Sequence, residues 1–326
     1  MNRSVRFFIN LAATFALTAG VAVAQTWPTQ PIKLIVPFPP GGGTDGVARA
    51  VAQHLAAALG QPVVVENKAG AGGTIGTNAV ATAASDGYTI GIATSSTLPA
   101  AMVLQRNVPY HALKSFTPIT QIASTSYVLV GSPALPASTL SELIAYAKGN
   151  PGKLNFANVG TSTLGYLLGR QMKALSGTDI VDISYKGSSQ IYPDLISNQV
   201  QLFLDNPGAS TPLVAAGKLK AFAVTTSTPS MPTAPLFSDA GRSVGLQDFN
   251  SEFWYGLIAP AGVPKAIIDR IRTETANFVN SVEGKKAFAA RSLEPVGSTS
   301  EQFSATIERD IGRFMTLAKQ FNIQPE

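Results

Sequence analysis

The chain has 326 residues and no cysteine, so disulfides, thiolate nucleophiles and zinc-cysteine sites are excluded and a large core must supply the stability. Its 24 basic and 19 acidic residues give a net charge of +5, too small and too scattered to indicate a nucleic-acid partner. The two histidines, His54 and His111, lie far apart, and neither H-E-x-x-H nor G-x-S-x-G occurs, so metal and triad chemistry fail on inventory and no cofactor is implied.

Residues 1–24 read as a cleavable signal peptide, with Arg3 and Arg6 ahead of the apolar run FFINLAATFALTAGVAVA, which closes on Ala22-Val23-Ala24. Cleavage predicts a soluble, exported mature chain from Gln25, left with 22 basic and 19 acidic residues and a net charge near +3. Roughly 300 residues is a two-domain length.

From Ile32 to Phe38 a strand is predicted, followed by the glycine loop PFPPGGGTDG and a helix whose apolar residues Val47, Val51, Leu55 and Leu59 share one face. Thr44 or Asp45 stands where a side chain caps the first free N–H groups, and Gly60 stands where a helix end turns left-handed. A strand over Pro62–Glu66, a short helix in NAVATAASDG and a buried strand over Tyr88–Thr94 follow, which means a parallel sheet covered by helices.

The middle of the chain repeats the theme. SYVLVG, KLNFANV, IVDISYKG and VQLFLD read as strands, the last ending at Asp205, and STLSELIAYAKGNPG, GTSTLGYLLGRQMKALSG and SQIYPDLISNQ supply helices. This is a second open sheet. A Pro- and Ser-rich segment, STPSMPTAPLFSDAG, leads to FWYGLIAPAGVP and two long helices from about Pro264 to Phe321. The chain passes between domains in STSYVLVG and AFAVTTST, so domain 1 is discontinuous, 25–125 with 226–326, and domain 2 is 126–225. A double crossover fits a hinged pair of lobes. His54 and the Trp254–Tyr255 pair read as packing residues.

Gly41, Gly43 and Gly46 spell G-x-G-x-x-G, with Glu66 about twenty residues on, where a dinucleotide fold places its ribose-binding acid. Against an NAD(P)-dependent oxidoreductase stand Pro39 and Pro40, which stiffen and lengthen the turn, the export signal, and the second glycine-rich stretch that Glu66 opens, ENKAGAGGTIG. The mechanism beneath the fingerprint is more general. Glycines feeding a helix present unpaired N–H groups with the positive end of the helix dipole behind them, and these bind carboxylate as readily as phosphate.

IKLIVPFPPGGGTDGVAR, VVVENKAGAGGTIGTNAVATAASDGYTI, NPGKLNFANVG, SYKGSSQIYPDLISNQVQLFLDN, AAGKLKAFAVTT and FWYGLIAPAGVPKAII, in that order, resemble the periplasmic receptors of tripartite tricarboxylate transporters, the Bug-type solute-binding proteins. The resemblance implies a two-lobed, type II Venus-flytrap α/β fold, each lobe an open sheet flanked by helices. It implies a monomeric periplasmic receptor, not an enzyme, that closes on a small organic acid, a mono- or dicarboxylate or an aromatic or amino acid, and delivers it to membrane permease subunits. A ligand-sensing partner of a membrane sensor kinase would share the same pocket.

The same resemblance places one ligand carboxylate on the loop from Phe38 through Pro40, Gly41, Gly42, Gly43 and Thr44 to Asp45. Ser95 and Thr97 belong to the first lobe's rim and Thr163 and Tyr166 to the second's. Ser188 and Ser189, in a third loop with Lys186, and Asp205 complete the expected set. These loops also lie just past the carboxyl ends of strands, where open α/β sheets place ligands. Where many relatives carry His and, one helical turn later, Glu, this chain has Tyr166 and Arg170. Asp205 has two readings, meeting a ligand ammonium or bonding the backbone of the opposite loop.

Overall fold

The structure is a computed structural model that describes residues 27–325, so the expected signal peptide lies outside the described residues. Strand β1 (Ile32–Val36) leads to helix α1 (Gly43–Leu59), β2 (Val63–Asn67), α2 (Thr74–Ala81) and β3 (Thr89–Thr94). β1 pairs in parallel with both β2 and β3, and its apolar residues are buried on both faces, as a central parallel strand requires. α1 turns Val47, Val51, Leu55 and Leu59 into the core and ends at Gly60 in the left-handed conformation. It starts earlier than its sequence signals indicate: Gly42 is the N-cap in place of Thr44 or Asp45, without a side-chain cap, and Thr44 and Asp45 lie inside the first turn.

β4 (Phe116–Ser126), an eleven-residue strand, has no counterpart among the sequence expectations. Beyond it come β5 (Val128–Gly131), α3 (Leu140–Gly149), β6 (Asn155–Asn158), α4 (Leu164–Ser176) and β7 (Val181–Ser184). α5 (Ser188–Ile196), β8 (Leu202–Asp205), α6 (Pro207–Ala215) and β9 (Lys220–Val224) complete the second sheet, in strand order β7-β6-β8-β5-β9. The chain returns through β10 (Glu252–Pro260), antiparallel to β3 and β4, and the short edge strand β11 (Glu294–Pro295) makes the first sheet β11-β4-β10-β3-β1-β2.

Three C-terminal helices replace the expected two: α7 (Lys265–Asn280), α8 (Val282–Ala289) and α9 (Ser300–Gln320). Ser281 separates α7 from α8 because it adopts an extended conformation and its hydroxyl caps the Gly284 amide. His54 is half-buried and stacks on Phe278, with ring centroids 4.9 Å apart. Trp254 is buried and donates its Nε1–H to Asp310 at 2.8 Å.

The sheets meet where β4 passes into β5. Tyr127 donates its amide to Thr225 Oγ1 at 2.8 Å, Thr225 returns its amide to the Tyr127 carbonyl at 2.8 Å, and the Thr225 hydroxyl donates to the Ser251 carbonyl at 2.6 Å. Both crossings are thus tied to one another. Residues 226–250, assigned to domain 1 from sequence, pack on the second sheet: Val224 donates to the Pro235 carbonyl, and Met231, Ala234 and Leu236 join the cluster around Val130 and Phe203. Among the described residues, no helix is long and apolar enough to cross a membrane.

Candidate functional site

The carboxyl ends of β1, β6, β7 and β8 face one another across a cavity of about 350 Å³, lined from both sheets. Four helices begin on its wall: Gly42, Gly43 and Thr44 at α1, Thr163 and Gly165 at α4, Gly187 to Ser189 at α5, and Asn206 and Gly208 at α6. Each start carries the positive end of a helix dipole. Among the described residues lining the cavity, Lys186 and Arg291 are the only cationic side chains and Asp205 the only carboxylate.

The α1 loop is braced from behind. Gly41 sits at φ +83, which reverses the chain, and its amide donates to Asp45 Oδ2 at 3.0 Å. Arg49 adds Nε and Nη2 bonds of 2.8 and 3.0 Å to the same carboxylate, and Asn67 Nδ2 donates to it and to the Phe38 carbonyl, each at 3.0 Å. Burial opposes ionisation of Asp45, but the bonds from Arg49, Gly41 and Asn67 outweigh it and hold its carboxyl below the usual aspartate range. Asp45 does not line the cavity; it fixes the loop that does. The amides of Gly43, Thr44 and Asp45 precede the first internal bond of α1, from Gly46 to the Gly42 carbonyl at 3.0 Å, and so have no helical acceptor.

Phe38, Pro40, Gly41, Gly42, Gly43, Thr44, Thr163, Ser188, Ser189 and Asp205 all line the cavity. Thr163 is the N-cap of α4, yet its hydroxyl donates to the Gly160 carbonyl at 2.8 Å instead of accepting from the helix. Ser95 and Thr97 do not reach the cavity. Both are fully buried: Ser95 pairs with Trp254 on β10, and Thr97 closes a turn with Thr94. β3 ends at Thr94 and the chain coils over Ser96–Ala100, so Ser96 is the residue that lines the cavity. Its Oγ accepts the Leu164 amide of α4 at 3.1 Å, a bond from one lobe to the other. Tyr166 is buried on α4 away from the lining, and Arg170 lies 4.0 Å from Asp182.

Asp205 is 5% exposed and accepts the Tyr192 hydroxyl at 2.8 Å. Burial pushes its carboxyl up to about 7, and the bonds from Tyr192, Ser210 and the Asn206 amide offset only part of that. Tyr127 and Tyr255 are buried and Tyr192 half-buried near it, and all three hydroxyls are driven above the usual tyrosine range, chiefly by burial, with the Asp205 charge adding to it. Tyr255, read from sequence as core, also lines the cavity. Arg291 covers the first turn of α1, where a Cβ on Gly46 would stand 3.2 Å from its Nε. Sequence reading missed Ser96, Asn158, Tyr192, Asn206 and Arg291. Only Ser96 carried a signal, as a hydroxyl between the expected rim residues Ser95 and Thr97. Glu66, the acid of the dinucleotide reading, is not among the lining residues and lies 3.6 Å from Lys68.

Residues 47–323 match the profile of the tripartite tricarboxylate transporter family receptor. Protein BugT of Bordetella pertussis is 36% identical over 312 residues, covering 94% of each chain. The structure of the periplasmic binding protein BugD superposes with a TM-score of 0.85 at 30% identity, covering 92% of this chain and 100% of that one. R. palustris Rpa4515, solved with adipate, gives 0.86 at 32% identity with the same coverage. The two open sheets, the cavity between them and these likenesses agree, and the chain belongs to the tripartite tricarboxylate transporter family of receptors, whose members are periplasmic solute-binding proteins.

Proposed function

We propose that this protein captures a small organic acid between its lobes in the periplasm and hands it to the membrane subunits of a tripartite tricarboxylate-type transporter, without transforming it. The observation that carries this reading is the convergence of four helix N-termini on one cavity bounded by both sheets. The lobes divide at Tyr127 and near Ser251, and the solute closes them because it meets both walls only in the closed form. One carboxylate lies on the α1 loop, and Thr163, Ser188 and Ser189 meet the solute from the second lobe. The adipate held by Rpa4515 supports a solute of this class. The export signal supports the location.

A thermal-shift screen tests the reading. A carboxylate at a hundredfold excess over its Kd adds about 2.7 kcal/mol of stability, a rise of several degrees in Tm. Stabilisation by a carboxylate, recovered unchanged on denaturation, is the expected result. Stabilisation by NAD(H) or NADP(H) with no response to any carboxylate would replace it with the dinucleotide reading.

A further inference from the structure

Two glycines of the G-x-G-x-x-G run, Gly43 and Gly46, lie in the first turn of α1, and each missing side chain has its place taken by a neighbour. A Cβ on Gly43 would stand 3.2 Å from the Tyr255 hydroxyl, and one on Gly46 would stand 3.2 Å from Arg291 Nε. Tyr255 comes from β10 and Arg291 from the turn between α8 and β11, so both approach from the first sheet's side, and both line the cavity with Gly43, Thr44 and Gly46. Tyr255 is 2% exposed, and its hydroxyl makes no hydrogen bond among the described residues. Arg291 is half-buried; its Nη1 donates to the Ala287 carbonyl at 2.7 Å, and among the described residues no carboxylate pairs with it. The turn that carries it is firm, because the Arg291 and Leu293 amides both donate to the Phe288 carbonyl, at 2.9 and 3.0 Å.

A buried phenol without an acceptor and a guanidinium without a counter-ion, both set against a helix start whose first amides are free, are satisfied together by one carboxylate. We propose that Arg291 and Tyr255 complete the pocket of the α1 loop, Arg291 selecting an ionised carboxylate over a neutral carboxamide of the same shape and Tyr255 donating to either. This rests on the reading of the cavity as a carboxylate site and names the residues that set its charge preference. Main-chain amides and a hydroxyl bond a neutral carbonyl much as they bond a carboxylate oxygen, whereas a guanidinium favours the full charge. On the other side of the cavity, a Cβ on Gly208 of α6 would stand 2.6 Å from the Arg291 carbonyl oxygen. The second wall therefore closes directly on this turn, and excluding water there strengthens the ion pair. Gly46 acquires a role as well, since a side chain at that position would displace the guanidinium from the first turn of α1.

The test titrates succinate, adipate and hexanoate by calorimetry, and the analogues with a carboxamide in place of every carboxylate by competition against them. The wild type prefers the acid by at least about a hundredfold, and Arg291→Gln lowers that ratio by about tenfold or more while the amide's affinity stays within about threefold. Arg291→Lys recovers most of the ratio, because it restores the charge, and Tyr255→Phe weakens acid and amide alike by about three- to tenfold. A merely structural role for Arg291 would weaken acid and amide together and leave the ratio as it was. An unchanged ratio in Arg291→Gln, or a Tyr255→Phe protein that binds the acids as tightly as the wild type, overturns the pocket and leaves the carboxylate cavity standing. A wild type that binds none of the three acids overturns the carboxylate reading and the pocket with it.

Discussion

Replacing Asp205 by asparagine removes the one ionisable acid in the cavity while keeping an acceptor for the Tyr192 hydroxyl. The folded-state value of about 7 lies well above the 3.8 of a free aspartate, so the folded protein binds this proton more tightly than the unfolded chain. The sign follows: stability contributed by the proton is full below the unfolded value, falls as pH rises, and is gone above the folded value. At about 1.4 kcal/mol per pH unit, the whole effect is about 4 kcal/mol, of which about 3 kcal/mol develops between about pH 5 and pH 8. At about 2–4 °C per kcal/mol that is roughly 6–12 °C of Tm. Melting both proteins across this range by circular dichroism isolates the group, because every other titration is common to the two. The Tm difference, Asp205→Asn minus wild type, should grow steadily with pH. Parallel pH profiles would refute the reasoning and place Asp205 in contact with water.

The opposite sign belongs to Asp45, whose lowered value contributes stability that is present at neutral pH and lost as the carboxyl is protonated on acidification. Asp45→Ala, which strips the acceptor from the Gly41 amide and Asn67, should cost about 2–4 kcal/mol in urea melts and weaken ligand binding together with it. Ser96→Ala leaves the Leu164 amide without its partner across the cleft and should cost the unliganded protein about 1–3 kcal/mol, read as a lower Tm. Any Cβ at Gly256 would overlap the Phe303 ring, so Gly256→Ala should destabilise by about 1–3 kcal/mol, read as a lower denaturant midpoint.

The α1 loop and its helix were legible because glycines, prolines and a helical apolar repeat are local signals, and Ser188 and Ser189 because they follow a readable strand. Ser95 and Thr97, placed at the rim by the resemblance, are buried because the backbone coils past Thr94, and Ser96 lines the cavity instead. Asp45 looked like a ligand contact because its partners, Arg49 apart, come from β2 and the preceding turn. Asn158, Asn206 and Arg291 left no signal, since their meaning depends on which distant strands and helices fold against them. The placement of residues 226–250 on the second sheet rests likewise on tertiary contacts, the Val224–Leu236 bridge and the packing of Met231, Ala234 and Leu236, that no local composition announces.

The account turns on main-chain amides at the start of α1 receiving the solute's carboxylate, and Gly42→Val probes them most directly. Gly42 is extended, at φ −82, and an added Cβ meets only the Pro39 carbonyl at an ordinary 3.7 Å, so the substitution fits the fold. Its branches occupy the space before the amides. Calorimetric titration of a carboxylate that binds the wild type should show at least about a hundredfold loss of affinity, with the unliganded Tm within about 2 °C. Undiminished affinity in a folded Gly42→Val protein would contradict the account.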